Sequence, residues 1–399
     1  MRYARRLKRC DCSSPQAVLG GTMNDAPLRI DLVITELFVG GAERCLVELA
    51  IGLRNRGDTV RVASIGTLPT GKQAALVQRL REHGISVESA NCDSAIQALS
   101  AYRWLRTWFR SGQPDVVQTM LFHANVVGTF AARAVGVPVC IGGIRVAQMH
   151  GARLLIEKQA IRRMDAVVCV SRSVERFAHK VFGHSIPPTH VIGNAIDIAA
   201  IDHVLPIDWT AFGWPKDAQV LLFVGRLHHQ KGLDLLVEAI EPLLVDSGDS
   251  PAMRCLVVGD GPQRDTLQRV AKRLGPARFQ LPGWRADSLA LIKGCRLLVL
   301  PSRYEGMPNV ILEAMAAGKP VAATAVEGVE ELLGEVADGQ TCAPEDPAAL
   351  RELIQRLWQA PDAAQELSRL NRQRAVTHHQ IGLLADRYRA VYADLAQPV

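Results

Sequence analysis

From Pro27 onward, short apolar runs bounded by turn residues alternate with stretches of helical period. Continuous apolar runs predict strands that are buried on both faces, because a strand with one exposed face would alternate apolar and polar residues. In the first half the predicted strands are Leu28–Thr35, Thr59–Ile65, Asp115–Met120, Val137–Ile144 and Ala166–Ser171. Strands of this kind separated by helices predict a parallel sheet covered by helices, which is a Rossmann-like α/β domain.

The same pattern restarts in the second half. The predicted strands there are Gln219–Val224, Met253–Val258, Arg278–Leu281, Leu297–Pro301 and Pro320–Ala325, and the predicted helices are Leu233–Val245, Gln263–Leu274 and Asn309–Ala317. Between the halves, residues 197–217 have linker composition and no clean period, so we place the hinge near residues 197–215. The chain ends in a predicted helix, Leu383–Ala396, which the second sheet does not need.

These boundaries divide the chain into four parts. We expect a disordered extension at 1–22, a first Rossmann-like domain at 23–197, a second at 198–380 and a closing helix at 381–399. Open parallel sheets bind ligands at the carboxyl ends of their strands. Two such domains that face each other would therefore form a cleft lined by strand-to-helix loops.

Composition narrows the class of protein. The 399 residues are 48% hydrophobic and 22% charged, as in ordinary globular proteins. No apolar run approaches the ~18 residues of a membrane span, and the basic N-terminus lacks the apolar run of an export signal. Nine scattered cysteines, an odd number, indicate a reducing compartment. We therefore expect a cytoplasmic protein.

Charge is distributed unevenly between the halves. Residues 1–199 hold 25 Lys and Arg against 15 Asp and Glu, whereas residues 200–399 hold 21 against 25. A basic first half indicates an anionic partner, whether phosphate, membrane surface or nucleic acid, although an accident of surface composition explains it equally well. No nucleic-acid-binding motif is present, so we expect no nucleic acid partner.

The most informative segment follows the predicted strand Leu297–Pro301. Glu305 and Gly306 lie in a loop, and a helix begins around Pro308 or Asn309. The start of that helix offers free N–H groups to phosphate, and the glycine lets the backbone approach a ligand. Glu305 and Glu313 can both face the cleft and accept hydrogen bonds from sugar hydroxyls. Taken alone, Glu313 is equally a surface residue that complements the helix dipole.

The run Glu305-Gly-Met-Pro-Asn-Val-Ile-Leu-Glu313 resembles the E-x7-E signature of retaining GT-B glycosyltransferases of family 4, the group 1 glycosyltransferases. The resemblance implies a GT-B fold with two Rossmann-like domains facing each other across a cleft. The first domain would bind the acceptor, the second the nucleotide-sugar donor, and the closing helix would pack back on the first. Glu305 would contact the donor sugar and Glu313 the ribose. Further donor contacts would come from Gly306, Met307, Pro308, Asn309 and Val310.

Two cations follow the first strand of the second domain. Val224-Gly225-Arg226-Leu227 and then Gln230-Lys231-Gly232 are similar to the loop in which family members hold the donor diphosphate. The resemblance implies that Gly225 contacts the donor and that Arg226 and Lys231 are catalytic. Two cations at this place would stabilise the leaving phosphate as its charge develops. Taken alone, they would be solvated loop residues.

Three segments of the first domain also match the family. The run Gly40-Gly41-Ala42-Glu43-Arg44 opens the first helix, as in family members whose Gly-Gly loop faces donor and acceptor. His123 follows a predicted strand and matches the cleft histidine that touches the donor sugar. Asn194-Ala-Ile-Asp197 resembles the N-G-x-D segment before the interdomain crossing, with Ala195 in place of glycine.

The resemblance also defines the expected chemistry. No D-x-D motif occurs in the chain, so we expect no metal and no other cofactor besides the donor as co-substrate. Retention would follow from a same-face displacement in which the leaving phosphate accepts the proton of the acceptor. Two alternatives stay open at this point. A nucleotide-sugar epimerase would act without an acceptor, and a non-catalytic nucleotide-sugar-binding subunit would not hydrolyse the donor.

The resemblance implies a glycan or lipid-linked acceptor. The basic first half favours a lipid-linked or similarly anionic one, and the segment 102–110 suggests peripheral contact with an anionic membrane. Trp104 and Trp108 lie one helical turn apart among Arg103, Arg106 and Arg110, the mixture of an interfacial helix. That hypothesis requires the two tryptophans to face outward. Leu99, Tyr102, Leu105 and Phe109 also form an ordinary core stripe, which is the competing interpretation.

Overall fold

The computed structural model describes residues 26–146, 151–245 and 253–396, and the expected extension at 1–22 lies outside these ranges. Two parallel sheets form the framework. The first contains β1 (Arg29–Ile34), β2 (Thr59–Ser64), β3 (Ser86–Ser89), β4 (Val116–Met120), β5 (Val139–Ile144), β6 (Ala166–Cys169) and β7 (Thr189–Val191). The second contains β8 (Val220–Val224), β9 (Arg254–Val258), β10 (Phe279–Gly283), β11 (Leu297–Leu300), β12 (Val321–Thr324) and β13 (Thr341–Cys342).

Helices cover both sheets. They are α1 (Gly41–Asn55), α2 (Ala75–Glu82), α3 (Ala98–Gly112), α4 (Thr129–Ala134), α5 (Leu154–Ile161), α6 (Arg172–Phe182), α7 (Ile198–His203), α8 (Leu233–Val245), α9 (Arg264–Leu274), α10 (Ser288–Gly294), α11 (Asn309–Ala316), α12 (Val329–Leu333), α13 (Pro347–Gln359), α14 (Pro361–His378) and α15 (Ile381–Leu395). None of the helices in the described ranges is both long and apolar enough to cross a bilayer. Alternation of parallel strands and helices in both halves confirms the predicted α/β class.

Strand order places the functional loops. The sheets run β3-β2-β1-β4-β5-β6-β7 and β10-β9-β8-β11-β12-β13, so each order reverses once, between β1 and β4 and between β8 and β11. In open α/β sheets the ligand crevice opens where the strand order reverses. The loops after these strands carry Gly41, His123, Arg226 and Glu305. The topology alone therefore brings the motif-bearing loops to the two crevices.

The chain crosses between the domains twice. It leaves the first domain after Asn194, and Ile196 forms a parallel bridge with Gln380 where the chain returns. Helix α15 then packs against α1, with Tyr388 and Tyr392 fully buried in the core of the first domain. The Tyr392 hydroxyl donates a hydrogen bond to Gln118 Oε1 at 3.2 Å. The last helix of the chain thus belongs to the core of the first sheet.

Helix α3 contradicts the outward-facing arrangement of the two tryptophans. Trp108 is buried, with the Arg61 guanidinium 4.2 Å from its ring centroid and its indole N–H donating to Glu88. Trp104 stacks on Trp108 at 5.9 Å between ring centroids. The prediction of outward-facing tryptophans was wrong because Arg61 on β2 and Glu88 on β3 provide polar partners for a buried indole.

Candidate active site

The loop between β11 and α11 holds two buried carboxylates. Pro308 lies at the N-cap position, so α11 begins at Asn309, within the predicted range. Only 6% of Glu305 and 6% of Glu313 is exposed. Glu305 Oε1 accepts hydrogen bonds from Ser302 Oγ at 2.7 Å and from Lys231 Nζ at 2.5 Å. A predicted catalytic carboxylate and a predicted catalytic cation are therefore in direct contact.

The contact between Lys231 and Glu305 depends on the fit between two loops. Gly232 has φ of +62°, and a Cβ at this position would lie 2.0 Å from the Pro301 carbonyl oxygen. Only glycine fits, because any side chain would collide with the backbone of the other loop. The Gln230 side chain also donates to the Tyr304 carbonyl at 2.9 Å. The loops after β8 and β11 thus form one rigid unit that carries both charges.

Arg226 lies on the same loop but in a different environment. Its side chain is exposed, and within the described part of the chain no hydrogen bond or ion pair engages its guanidinium. Gly225 donates its N–H to the Val258 carbonyl, and Gly259, at φ of +146°, packs directly on the Gly225 carbonyl. The glycines after β8 and β9 therefore serve close packing of adjacent loops. Arg226 is left as a cation available to a ligand.

Glu313 contacts the opposite domain. Its Oε1 accepts a hydrogen bond from Arg44 Nη1 at 2.5 Å, and Arg44 lies in the first turn of α1. Burial raises the pKa of the Glu313 carboxyl, and the charge of Arg44 opposes that rise. The sequence interpretation placed Arg44 in the run that opens α1 but gave it no role. One signal was available, since a cation in the first turn of a helix is unfavourable unless an anion from elsewhere compensates it.

The Gly-Gly pair before α1 has two separate steric roles. A Cβ at Gly40 would lie 2.3 Å from Glu43 Oε2, so the glycine leaves room for this carboxylate to fold back over the helix start. A Cβ at Gly41 would lie 3.3 Å from Asn309 Nδ2, which donates to the Gly41 carbonyl at 3.0 Å. Gly41 therefore contacts the start of α11 in the other domain.

The Glu43 carboxylate lies in a buried position at the start of α1. Burial raises the pKa of Glu43 to about 7, with a smaller contribution from Glu36.

Gly306 also has an interdomain role that the sequence did not reveal. A Cβ at Gly306 would lie 1.8 Å from the Arg145 carbonyl oxygen at the end of β5. On its other side, a Cβ at Gly328 would lie 1.8 Å from the Gly306 carbonyl oxygen. The loop is thus inserted between the first domain and the α12 turn. Any side chain at Gly306 would force the two domains apart.

Asn194 links the crossing segment to this loop. Its side-chain NH₂ donates to the Met307 carbonyl at 2.8 Å and to Asn309 Oδ1 at 2.6 Å. Its side-chain oxygen accepts a hydrogen bond from the buried guanidinium of Arg145. Arg145 was not among the predicted residues. A charged residue directly after a fully buried strand was the available signal, because such a residue must find a polar partner.

His123 follows β4 in a distorted segment. Leu121 has φ of +74°, an uncommon conformation for a residue with a side chain, and the π-helical turn Ala124–Gly128 comes directly after His123. The imidazole is half-buried and lies edge-on to Phe122 at 5.1 Å between ring centroids. Backbone distortions of this kind concentrate at functional sites. The structure places His123 at the carboxyl end of β4, on the cleft side of the first sheet.

Val310, the remaining predicted donor residue, and the turn before α12 both have structural roles. Val310 is half-buried in the first turn of α11 and packs on the core of the second domain. Glu331, in the Gly328–Glu331 turn, accepts the N–H of Arg172 at 2.8 Å and so caps α6 of the first domain. Within the described ranges, no group of three or more His, Cys, Asp or Glu residues has an arrangement that would hold a metal ion.

Comparisons with known proteins agree with this geometry. The model of the glycosyl transferases group 1 family matches residues 218–360, and that of glycosyltransferase family 4 matches residues 39–200. Among curated relatives, a glycogen synthase of Mycobacterium tuberculosis is 29% identical over 65% of this chain and 59% of its own length. The lipopolysaccharide core biosynthesis glycosyltransferase LpsE of Rhizobium meliloti is 27% identical over 75% of this chain and 80% of its own. The chain thus spans 59% of the length of the glycogen synthase.

Solved structures share the fold at low identity. Anabaena HepE in complex with UDP-glucose superposes with a TM-score of 0.79, at 22% identity, over 92% of this chain and all of its own. Sucrose-phosphate synthase of Thermosynechococcus elongatus gives a TM-score of 0.74 at 20% identity, over 92% of this chain and 99% of its own. These similarities confirm the predicted two-domain GT-B arrangement.

Proposed function

Since the chain belongs to the group 1 glycosyltransferases of family 4, we propose that it is a retaining enzyme that transfers a sugar from a UDP- or GDP-sugar to a hydroxyl of a glycan or lipid-linked acceptor. Membership in the family supports a transferase over an epimerase or a non-catalytic subunit. The observation that carries the proposal is the contact between Lys231 and Glu305 at the crevice between β8 and β11, beside the exposed Arg226.

In the proposed reaction, Arg226 and Lys231 hold the donor diphosphate. Their charges stabilise the leaving group as the bond between the anomeric carbon and the phosphate oxygen breaks. Glu305 fixes the Lys231 ammonium group and accepts a hydrogen bond from a hydroxyl of the donor sugar. The acceptor oxygen forms the new bond on the same face of the sugar, and its proton passes to the departing phosphate oxygen. Configuration at the anomeric carbon is thereby retained.

The two cations also support a reaction without a divalent metal. A metal ion in other transferases neutralises the donor diphosphate. Here Lys231 is held in place by Glu305, and Arg226 has no competing partner among the described residues. Two positive side chains on one loop would neutralise the same charge. Activity in the presence of EDTA is therefore part of the proposal.

The proposed classes of donor and acceptor are based on what similar proteins bind or make. HepE, solved with UDP-glucose, favours a UDP-sugar, and the lipopolysaccharide core enzyme favours a lipid-linked acceptor in cell-surface polysaccharide or glycolipid synthesis. We place the enzyme at the cytoplasmic face of the membrane. Helix α5 fits such contact better than α3, because Leu155 is 77% exposed and Ile156 49% exposed. Exposed Arg153, Arg162 and Arg163 flank them.

A membrane contact through α5 is tested with liposomes. Binding should require anionic lipid and weaken at high salt, because each basic residue near an anionic surface contributes ~1 kcal/mol and is screened by ions. The Leu155→Ser and Ile156→Ser double variant should bind more weakly, whereas Trp104→Ser on α3 should bind as the wild type does. Binding that ignores lipid charge would exclude this contact.

The proposed activity is tested first by donor binding and then by transfer. A donor at 100-fold over its dissociation constant stabilises the folded state by ~2.7 kcal/mol, so a thermal-shift screen of UDP- and GDP-sugars identifies the nucleotide. The selected donor is then incubated with candidate acceptors, and the anomeric configuration of the product is read by NMR. Interconversion of the donor sugar into another sugar without any acceptor, or a product with inverted configuration, would contradict the proposal.

A further inference from the structure

The contact between Arg44 and Glu313 joins the two domains at the donor crevice. Arg44 Nη1 donates to Glu313 Oε1 at 2.5 Å, across 269 positions of sequence. The Glu313 side chain is 8% exposed and that of Arg44 is 38% exposed. No hydrogen bond from the described residues reaches the other carboxylate oxygen, Oε2. Half of the acceptor capacity of Glu313 is therefore left for another donor.

The dipole of α1 does not favour an arginine at position 44. The residue lies in the first turn of α1, where the helix dipole disfavours a positive charge. Burial raises the pKa of the Glu313 carboxyl, so removal of Arg44 would favour its neutral form. A neutral carboxyl group accepts hydrogen bonds more weakly and presents one donor, whereas an ionised one only accepts. The charge of Arg44 therefore favours the ionised form of Glu313, the form that accepts hydrogen bonds from two hydroxyls.

A second contact fixes the same two helix starts. Asn309 Nδ2 donates to the Gly41 carbonyl at 3.0 Å, and Asn309 lies one turn before Glu313 on α11. The first turns of α1 and α11 are thus held at two points. Both contacts join the first domain to the second, so they would be lost if the two domains separated.

We propose that Arg44 of the first domain is a positioning residue that orients Glu313 of the second domain to accept hydrogen bonds from the ribose hydroxyls of the donor. This inference rests on the proposed function, in which Glu313 binds the ribose. Arg44 holds one carboxylate oxygen while the other stays available to the sugar. Because the two residues come from different domains, the ribose site is complete only in the closed cleft.

The test compares UDP with 2′,3′-dideoxy-UDP by calorimetry, or the guanosine pair if the screen selects GDP. The wild type should prefer UDP by about 10- to 100-fold, the strength of hydrogen bonds to a charged group. Arg44→Ala and Glu313→Gln should each reduce that preference to about threefold or less, because the charged hydrogen bond to the ribose is lost. Affinity for the dideoxy form should stay the same. Arg54→Ala, at an exposed position of the same helix, is the matched control and should behave as the wild type does.

Three further outcomes decide the inference. The double variant Arg44→Ala/Glu313→Gln should lose no more preference than Glu313→Gln alone, since the two residues act as a unit. Arg44→Lys should recover part of the preference. An Arg44→Ala variant that retains the wild-type preference, or that weakens binding of both nucleotides equally, would overturn the role of Arg44.

The same experiments distinguish failure of the proposed function from failure of this inference. If the wild type binds neither UDP nor GDP and transfers no sugar, the proposed function falls, and the inference falls with it. If it transfers sugar but binds UDP and dideoxy-UDP equally, only the inference is overturned. Arg44→Gln, which keeps most of the side-chain length without the charge, replaces Arg44→Ala in the same comparison if the alanine variant does not fold.

Discussion

Replacement of Glu305 by glutamine removes one charge and keeps the shape of the side chain. In the native protein Glu305 Oε1 accepts hydrogen bonds from Lys231 Nζ and Ser302 Oγ, at 2.5 Å and 2.7 Å. The amide retains an acceptor for Ser302 but loses the charge-assisted hydrogen bond to Lys231, which is worth ~1.5–3 kcal/mol. The ammonium group is partly exposed and regains water, so we expect a net loss of ~1 kcal/mol. The melting temperature should fall by ~2–4 °C.

The effect on the reaction should be much larger than the effect on the fold. Glu305→Gln removes the carboxylate that we propose contacts the donor sugar, and it releases Lys231, the proposed partner of the diphosphate, from its ion pair. Loss of one such contact costs ~2.7–4 kcal/mol of transition-state stabilisation, which is a 100- to 1000-fold decrease in kcat. The assay is release of nucleotide diphosphate under saturating donor and acceptor. Melting curves are recorded on the same preparations.

Glu352→Gln is the matched control for this experiment. Glu352 lies on α13 of the same domain, is exposed, and has no hydrogen bond among the described residues. The variant should retain wild-type kcat and melting temperature. Retained kcat in Glu305→Gln would refute the assignment of Glu305. A loss of activity that only matches the fraction of unfolded protein would refute it equally.

Four further outcomes are expected. Arg226→Ala should lower kcat by ~100-fold without changing the melting temperature, because the side chain is exposed and unpaired among the described residues. Activity should survive EDTA, and a loss that only Mg²⁺ or Mn²⁺ restores would contradict this. Tyr388→Ala should cost ~3–5 kcal/mol of unfolding free energy in denaturant titrations, against under ~1 kcal/mol for the more exposed Leu383→Ala on the same helix. Burial lowers the pKa of His379 from 6.5 to about 4, so the unfolded chain takes up a proton first as the pH falls, and His379 should contribute a decrease in stability of up to ~1.4 kcal/mol per unit between pH 6.5 and pH 4, against the opposite contribution of Glu43. His379→Gln should reduce that slope, and an unchanged slope would exclude His379 as its source.

The fold was predictable where burial dominates the sequence. Strands β4 and β5 are buried along their whole length, and both were predicted from continuous apolar runs. Strands β3, β7 and β13 were missed. They are only two to four residues long and partly exposed, because each lies at an edge of its sheet. A short edge strand buries too few apolar residues to produce a recognisable apolar run in the sequence.

The candidate site was predictable only within single loops. The motif around Glu305 and Glu313 is local, so the resemblance identified it. The partner of Glu313 is Arg44, which no local pattern relates to it. Asn194 was recognised as part of the crossing segment, but its hydrogen bonds to Met307 and Asn309 depend on how the domains meet. Contacts between domains depend on tertiary packing, so they cannot be predicted from local patterns in a single sequence.

The double crossing of the chain determines how this protein can be recombined with its relatives. Helix α15 follows the second domain in sequence, yet Tyr388 and Tyr392 complete the core beneath α1. A chimera joined only near Asp197 would combine the first sheet of one parent with the closing helix of the other and leave mismatched surfaces in that core. An exchange of the first domain therefore needs two junctions, one after Asn194 and one near Gln380, where Ile196 and Gln380 pair. The transferable unit is discontinuous in sequence, although it is a single body in space.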